Sequence, residues 1–201
     1  MRSAYGSIVL AGRLDRRPEW SKVMVHGGTA SVGVWAIMLA KDRGVKVIVT
    51  TRNKDKADRV LLDGELETEV PKLFPKGIDI ILELVGPGQT PRSLSLAARF
   101  GTVVLGGVLI LGWKAPGISP FMIPPTRNMN FCTMTNDGIG SEDDGLEDME
   151  GLPAQVLEKV EKDIYPAQSF PDKIFKLEEI GDAHTCMEDN KACGGVVVIV
   201  T

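Results

Sequence analysis

Gly28-Thr29-Ala30-Ser31-Val32-Gly33 has the residue types and spacing of a phosphate cradle. Small residues stand at positions 28, 30 and 33, between an apolar run and a stretch of helical character. The first glycine permits a tight turn, the second small position lets the backbone approach a pyrophosphate, and the third lets the helix pack closely on the strand. Alanine at position 30 departs from glycine but adds little bulk. Amides at the helix N-terminus supply donors and partial positive charge, and Thr29 and Ser31 add hydroxyls. The alternative is a purely structural strand-to-helix turn.

The end of the next apolar run reads Thr50-Thr51-Arg52-Asn53-Lys54, with no acid before Asp55. An NAD site normally carries an acid there, bonded to the ribose 2′-hydroxyl. Arg52, assisted by Thr51 and by Lys54 or Lys56, suits a 2′-phosphate instead. The expected cofactor is therefore NADP(H); the alternative is that these cations are ordinary surface residues. Two further groups draw notice. His26 ends the first apolar run, where a structural role outweighs proton transfer. Glu83 lies within an apolar run, where a partly buried carboxylate has a raised pKa; a structural role leads there too. Trp113 and Phe131 suit either the nicotinamide side of a site or core packing. His184, Cys186 and Cys193 lack the spacing of a zinc site, so no metal is expected. No nucleophilic triad is legible, and the catalytic residues stay unassigned.

These residues need a frame. Residues 3–12 read as a helix stopped at Gly12, and Lys22 to His26 as a strand. Val32 to Arg43 has helical length with Gly44 to end it. Val45 to Thr51 is almost continuously β-branched, which suits a parallel strand covered on both faces. Strands are expected over Ile78–Val85, Gly101–Leu105 and Asn130–Thr135, with a helix over Pro91–Arg99. The crossover from Lys54 to Arg59, before Val60-Leu61-Leu62-Asp63, is cramped for a helix and a turn into a further strand. Later, Pro153–Asp163 reads as a polar helix, Ser169–Lys176 as extended, Leu177 to about Asn190 as a helix, and Gly195–Thr201 as a final strand. Alternation of this kind predicts an α/β fold, a Rossmann-type doubly wound parallel sheet.

Composition excludes several classes. Seven of the 27 acids and none of the 23 bases lie between Asp137 and Glu150, so the net charge of -4 reflects one acidic run, read as a solvated loop. The remainder is not basic enough for a nucleic-acid surface. No segment has the length of apolar sequence needed to span a membrane. Three cysteines without paired spacing suit reduced thiols, and no signal peptide is apparent, so a cytoplasmic location is expected.

Several separated motifs, in order, carry a resemblance. Val25-His26-Gly27-Gly28-Thr29-Ala30-Ser31-Val32-Gly33, Leu39-Ala40-Lys41, Thr50-Thr51-Arg52, Asp79-Ile80-Ile81-Leu82-Glu83-Leu84-Val85-Gly86, Gly101-Thr102-Val103-Val104 and the tail Phe175-Lys176-Leu177-Glu178-Glu179-Ile180 with Ala183-His184 and Met187-Glu188 resemble the zinc-free quinone-oxidoreductase branch of the medium-chain dehydrogenase/reductases. The resemblance implies Val85 and Gly86 beside the adenosine or ribose, and Gly106, Gly107 and Val108 near the nicotinamide. It implies hydride transfer from NADPH to a quinone, an enone or a related activated double bond. It places an NADP-binding domain over residues 1–150 and, over 151–201, a C-terminal remnant of the catalytic domain. The family's β-rich N-terminal catalytic domain is absent from the sequence, Lys56 to Asp63 looks shortened, and Gly195 stands where the family often has lysine. A truncated paralogue or an imperfect gene model is the expectation that follows. The alternative to an enzyme is an NADP(H)-binding sensor or a subunit of a larger assembly. The resemblance also implies a homodimer through the strand near Asn130–Thr135.

Overall fold

The β-branched runs form one parallel sheet flanked by helices in a computed structural model of the chain, which describes residues 1–51, 66–107, 119–131, 151–166, 171–189, 191–192 and 195–200. Strands β1 (Lys22–His26), β2 (Lys46–Thr50), β3 (Ile78–Glu83), β4 (Ala97–Leu105) and β5 (Asn128–Phe131) lie in the order β2-β1-β3-β4-β5. Every pairing is parallel, with Val25 opposite Val49 on one side and Leu82 on the other. All five strands therefore end at one edge, and the loops beyond it converge.

Helices cover both faces. Helix α1 (Arg2–Tyr5) runs on as a π-helical turn, Gly6–Ala11, and packs with α2 (Ser31–Asp42) over one face. Val23, Val25, Ile80, Leu82 and Val104 meet Ile8, Ala36, Leu39 and Ala40 there. On the other face, α3 (Leu66–Leu73) supplies Val70 and α4 (Thr90–Leu96) supplies Leu94 and Leu96 against Met24, Ile81 and Val103. Burial on both faces is why these strands read as continuous apolar runs rather than as alternating patterns. Each such side chain contributes roughly 1.5–3 kcal/mol.

Helix α5 (Leu152–Glu161) lays Leu152 and Val156, with nearby Tyr165, against Tyr5, Trp35 and Met38. Helix α2 is thus held between the sheet and α5. The last segments form a separate two-stranded parallel sheet of β6 (Pro171–Lys176) and β7 (Gly195–Ile199), with α6 (Ile180–Glu188) between them in sequence.

The structure departs from the sequence reading in one expected helix and adds one helix that was not expected. The helix expected to reach Arg99 ends at Leu96, and β4 begins at Ala97. The cause is tertiary. A side chain on Gly77 would stand 2.7 Å from the Ala98 nitrogen, so two backbones meet where the helix would otherwise continue. The pairing then shifts register between Ile78–Ala97 and Ile80–Thr102, and Phe100 takes a left-handed φ of 63° in the bulge. The second difference is α3. Its sequence, Leu-Glu-Thr-Glu-Val-Pro-Lys-Leu, is mostly polar and carries Pro71 inside, so its periodicity gives little signal. The crossover and strand expected between Lys54 and Asp63 lie outside the described residues.

Candidate functional site

The turn after β1 is folded onto the end of β2. The amides of Gly27 and Gly28 both donate to the Thr50 carbonyl, each at 3.1 Å. Gly27 adopts φ 79°, a conformation that favours glycine. A side chain on Gly33 would stand 2.6 Å from the Gly28 Cα, so the first turn of α2 rests directly on the loop. A side chain on Gly28 would meet Val49 at 1.9 Å. The glycines at the first and third small positions of the motif are therefore demanded by close packing inside the protein.

Ala30 precedes α2 in an extended conformation, φ -75° and ψ 156°, and no side chain caps the helix. The first intrahelical bond runs from the Val34 amide to the Ala30 carbonyl, at 2.9 Å. The amides of Ser31, Val32 and Gly33 thus belong to the group that a helix cannot satisfy internally. Ser31 is exposed, and Thr29, Ala30 and Val32 are half-buried. Thr29 and Thr51 share a hydrogen bond of 3.2 Å between their hydroxyls, which ties the loop to the end of β2. An uncapped helix start with small flanking residues fits the diphosphate of a dinucleotide.

The neighbouring strand ends complete the edge. Val85 and Gly86 follow β3, and Gly86 takes φ 147°. Gly106 and Gly107 follow β4; their missing side chains would stand 2.9 Å from Ser7 Oγ and 2.5 Å from the Leu84 carbonyl oxygen. At Gly106 the neighbours are the side chains of Ser7 and Leu82, whereas at Gly107 the close approach is to the backbone just after β3. The sheet thus gathers Gly28 to Gly33, Thr51, Val85, Gly86, Gly106 and Gly107 along one edge. Arg52, Lys54, Lys56, Val108 and Trp113 lie outside the described residues.

Beneath this edge runs a buried polar chain. Glu83 is 0% exposed. Its Oε1 accepts the amides of Val85 at 2.8 Å and Gly86 at 3.2 Å. Its Oε2 accepts the Ser93 hydroxyl at 3.1 Å and lies 4.0 Å from His26 Nε2. His26 Nδ1 and Thr50 Oγ1 share a bond of 2.9 Å. Burial pushes the Glu83 carboxyl above its ordinary value, against the opposing pull of the two amides, Ser93 and the Arg92 guanidinium. His26 and Glu83 thus lie opposite each other at the buried ends of β1 and β3, and Glu83 is more deeply buried than expected. Ser93 was not singled out from sequence. The available signal was a serine on the face of α4 that carries Leu94 and Leu96 into the core.

Among the described residues no group of three or more His, Cys, Asp or Glu is placed to hold a metal ion. Cys186 is a buried free thiol, and Cys193 lies outside the described residues. No helix among the described residues is long and apolar enough to cross a membrane.

A parallel sheet in this order, with a glycine turn between β1 and α2 at its carboxyl edge, defines the Rossmann-type class of α/β fold. The family model for zinc-binding dehydrogenases matches residues 31–136, just over half of the chain, and the chain belongs to that family. The motif resemblance to the medium-chain dehydrogenase/reductases agrees with this. Human quinone oxidoreductase is 30% identical over 96 residues, 42% of this chain and 29% of that protein. Mouse prostaglandin reductase-3 is 28% identical over 138 residues, 62% of this chain and 36% of that protein. A mycobacterial protein, Rv1454c, solved in complex with NADPH, superposes with a TM-score of 0.74 at 20% identity, covering 98% of this chain and 62% of that one. The chain spans between 4% and 54% of the length of such curated relatives.

Proposed function

We propose that this chain binds NADP(H) along the carboxyl edge of its sheet and serves in reduction of a quinone, an enone or a related activated double bond. The observation that carries the reading is the uncapped N-terminus of α2, seated on Gly28 by the close approach of Gly33. The printed names of two relatives, a quinone oxidoreductase and a prostaglandin reductase, support the reaction class. A nicotinamide cofactor is supported by the mycobacterial neighbour, whose structure holds NADPH. Preference for the 2′-phosphate rests on Thr50 and Thr51, where an NAD site carries an acid, and on the sequence of Arg52 and Lys56.

In this reading the amides of the first turn of α2 and the hydroxyls of Thr29 and Ser31 hold the diphosphate. Thr51 with Arg52 and Lys56 faces the 2′-phosphate, Val85 and Gly86 flank the ribose, and Gly106, Gly107 and Val108 border the nicotinamide. When bound, the reduced cofactor supplies a hydride to the electrophilic carbon of the substrate, and solvent supplies the proton. Positioning dominates such chemistry, since the reacting atoms must meet within about 3–3.5 Å.

A second reading is a cofactor-binding subunit that works with another chain. One observation favours it: the β6–β7 sheet leaves Ile174, Val197 and Ile199 exposed at 57%, 43% and 45%. Pairing of two copies through β5, the edge strand near Asn130–Thr135, is the homodimer that accompanies either reading; residues beyond Phe131 there lie outside the described ones.

The test is a fluorescence titration of the 201-residue chain with NADPH and with NADH, followed by 9,10-phenanthrenequinone in the same cuvette. NADPH binding with quinone-dependent oxidation is the expected result. Binding without turnover favours the subunit reading. No binding of either nucleotide overturns both.

A further inference from the structure

Glu83 takes no part in the proposed hydride transfer, yet it is a carboxylate sealed beneath the cleft edge. Apolar strand residues surround its position in sequence, and water does not reach it. Burying a carboxylate is costly unless several donors meet it. Here three donors do: the Val85 amide, the Gly86 amide and the Ser93 hydroxyl. Two of the three belong to the turn that leaves β3. That turn contains Gly86 at φ 147°, a conformation that needs to be held.

We propose that Glu83 is a positioning residue for nucleotide binding: its carboxylate fixes the Val85–Gly86 turn and registers it against the glycine loop after β1. The proposal rests on the dinucleotide reading above. The connection between the two loops is short. Thr50 accepts the Gly27 and Gly28 amides with its carbonyl and shares a bond with His26 through its hydroxyl. His26 brings Nε2 to 4.0 Å from Glu83 Oε2. The backbone runs alongside, with the Leu84 amide donating to the His26 carbonyl at 3.2 Å and the Gly106 amide to the Glu83 carbonyl at 2.9 Å. Three strand ends, β1, β2 and β3, and helix α4 therefore meet around one carboxylate. A dinucleotide that lies across β1 and β3 contacts both loops, so their relative placement sets how well both halves of the ligand are met.

A carboxylate suits this task because both oxygens only accept, and each has a separate duty. A glutamine retains one accepting oxygen for the two amides and turns its NH₂ toward Ser93 and His26. Alanine leaves the amides with no acceptor, and aspartate is one methylene short of them.

The experiment measures NADPH dissociation constants by fluorescence for the full chain and for E83A, E83Q and E83D, with L14A as a control for lost stability. Leu14 is buried in the core over the α1–α2 face and belongs to none of the hydrogen bonds described around Glu83 and His26. E83A and E83D are expected to weaken NADPH binding about tenfold, E83Q about threefold or less, and L14A less than about twofold. Amide hydrogen exchange at Val85 and Gly86 is expected to accelerate in E83A and E83D but not in E83Q or L14A. E83D preserves the test if E83A does not fold. Wild-type binding with E83A and E83D unchanged, or with L14A weakened as much as they are, overturns the positioning role alone. A wild-type chain that binds neither NADPH nor NADH overturns the dinucleotide reading, and the proposal with it.

Discussion

The carboxyl edge of the five-stranded sheet and the β6–β7 unit are built from the same kind of sequence and end in opposite situations. Val45 to Thr51 and Gly195 to Val200 are both β-branched runs. At the first, Ile48 and Val49 are buried, and the adjoining turn is so closely packed that Gly28 and Gly33 have no room for a side chain. At the second, Val197, Ile199 and Val200 remain exposed, and Gly181 in the neighbouring helix meets nothing within 4 Å. A β-branched run therefore announces a strand without saying what covers it. Two strands alone are marginal in water. The comparison separates a region whose order comes from its own packing from one with apolar surface to spare. Substitutions at glycine put numbers on that contrast.

Gly33→Ala is expected to have the largest effect. The new Cβ would press on the Gly28 Cα at 2.6 Å and the Gly27 carbonyl oxygen at 2.7 Å, and backbone cannot rotate away as a side chain can. A loss of about 3 kcal/mol is expected by urea unfolding, at the upper end of overpacking costs. NADPH binding should be lost with it, because the first turn of α2 lifts off the loop. Unchanged stability in G33A would mean that the loop and the first turn of α2 are not in close backbone contact.

Gly28→Ala should cost about 1–3 kcal/mol, and differently. Its Cβ would meet the Val49 side chain at 1.9 Å rather than backbone. Val49→Ala removes that obstacle. In the double variant the two changes should couple favourably by about 0.5–3 kcal/mol. The same Val49→Ala change should not rescue G33A, so the pair distinguishes a clash with a side chain from one with backbone.

Glu83 allows the edge to be probed with pH. Its folded-state pKa is raised by burial above the ordinary 4.5. A raised carboxyl binds its proton more tightly when folded. Its contribution to stability is thus fully present below pH 4.5 and is lost as pH rises through the folded value. E83Q lacks this titration. The stability of the wild type relative to E83Q should therefore be greatest in acid and fall as pH rises toward neutrality. The other carboxylates titrate in both proteins, so urea unfolding of the two in parallel isolates the Glu83 contribution. A difference that does not vary with pH would mean that the amides, Ser93 and Arg92 fully offset the burial of the Glu83 carboxyl.

Much of the edge is legible in the sequence. The glycine spacing, the strand before it and the helix after it located the turn, and an isolated acid in an apolar strand marked Glu83. Motifs of this kind are local, and a parallel strand covered on both faces leaves a strong signal. What was not legible depended on distant contacts. Ala97 to Arg99 continues a helical pattern, and only the approach of Gly77 to Ala98 turns it into strand. Helix α3 is mostly polar, and among its described side chains Val70 alone is fully buried, too little for a periodic signal. Ser93 looked like an ordinary helix serine because its partner lies on another element. Exposure of the β6–β7 face was equally invisible, since Val196 to Val200 reads the same whether covered or bare.

The smallest expected effect has the opposite sign and lies in the second region. Gly181 occupies the first turn of α6, and its missing side chain faces open space. Its φ is not in the left-handed region, so alanine fits the backbone as it stands. The Gly181 carbonyl accepts the Thr185 hydroxyl at 3.0 Å, and a Cβ does not disturb that bond. Alanine also removes conformational freedom from the unfolded chain, which stabilises a helix position by about 0.5–1 kcal/mol. G181A should therefore unfold slightly later in urea than the wild type, while NADPH binding stays the same. One methyl group thus destabilises at Gly33 and stabilises at Gly181. If G181A instead destabilises, something covers that helix face in solution, and the β6–β7 unit is not bare. Sedimentation of the same variant beside the wild type would then show a change in association, because a second copy seated on the face would be displaced by the added methyl.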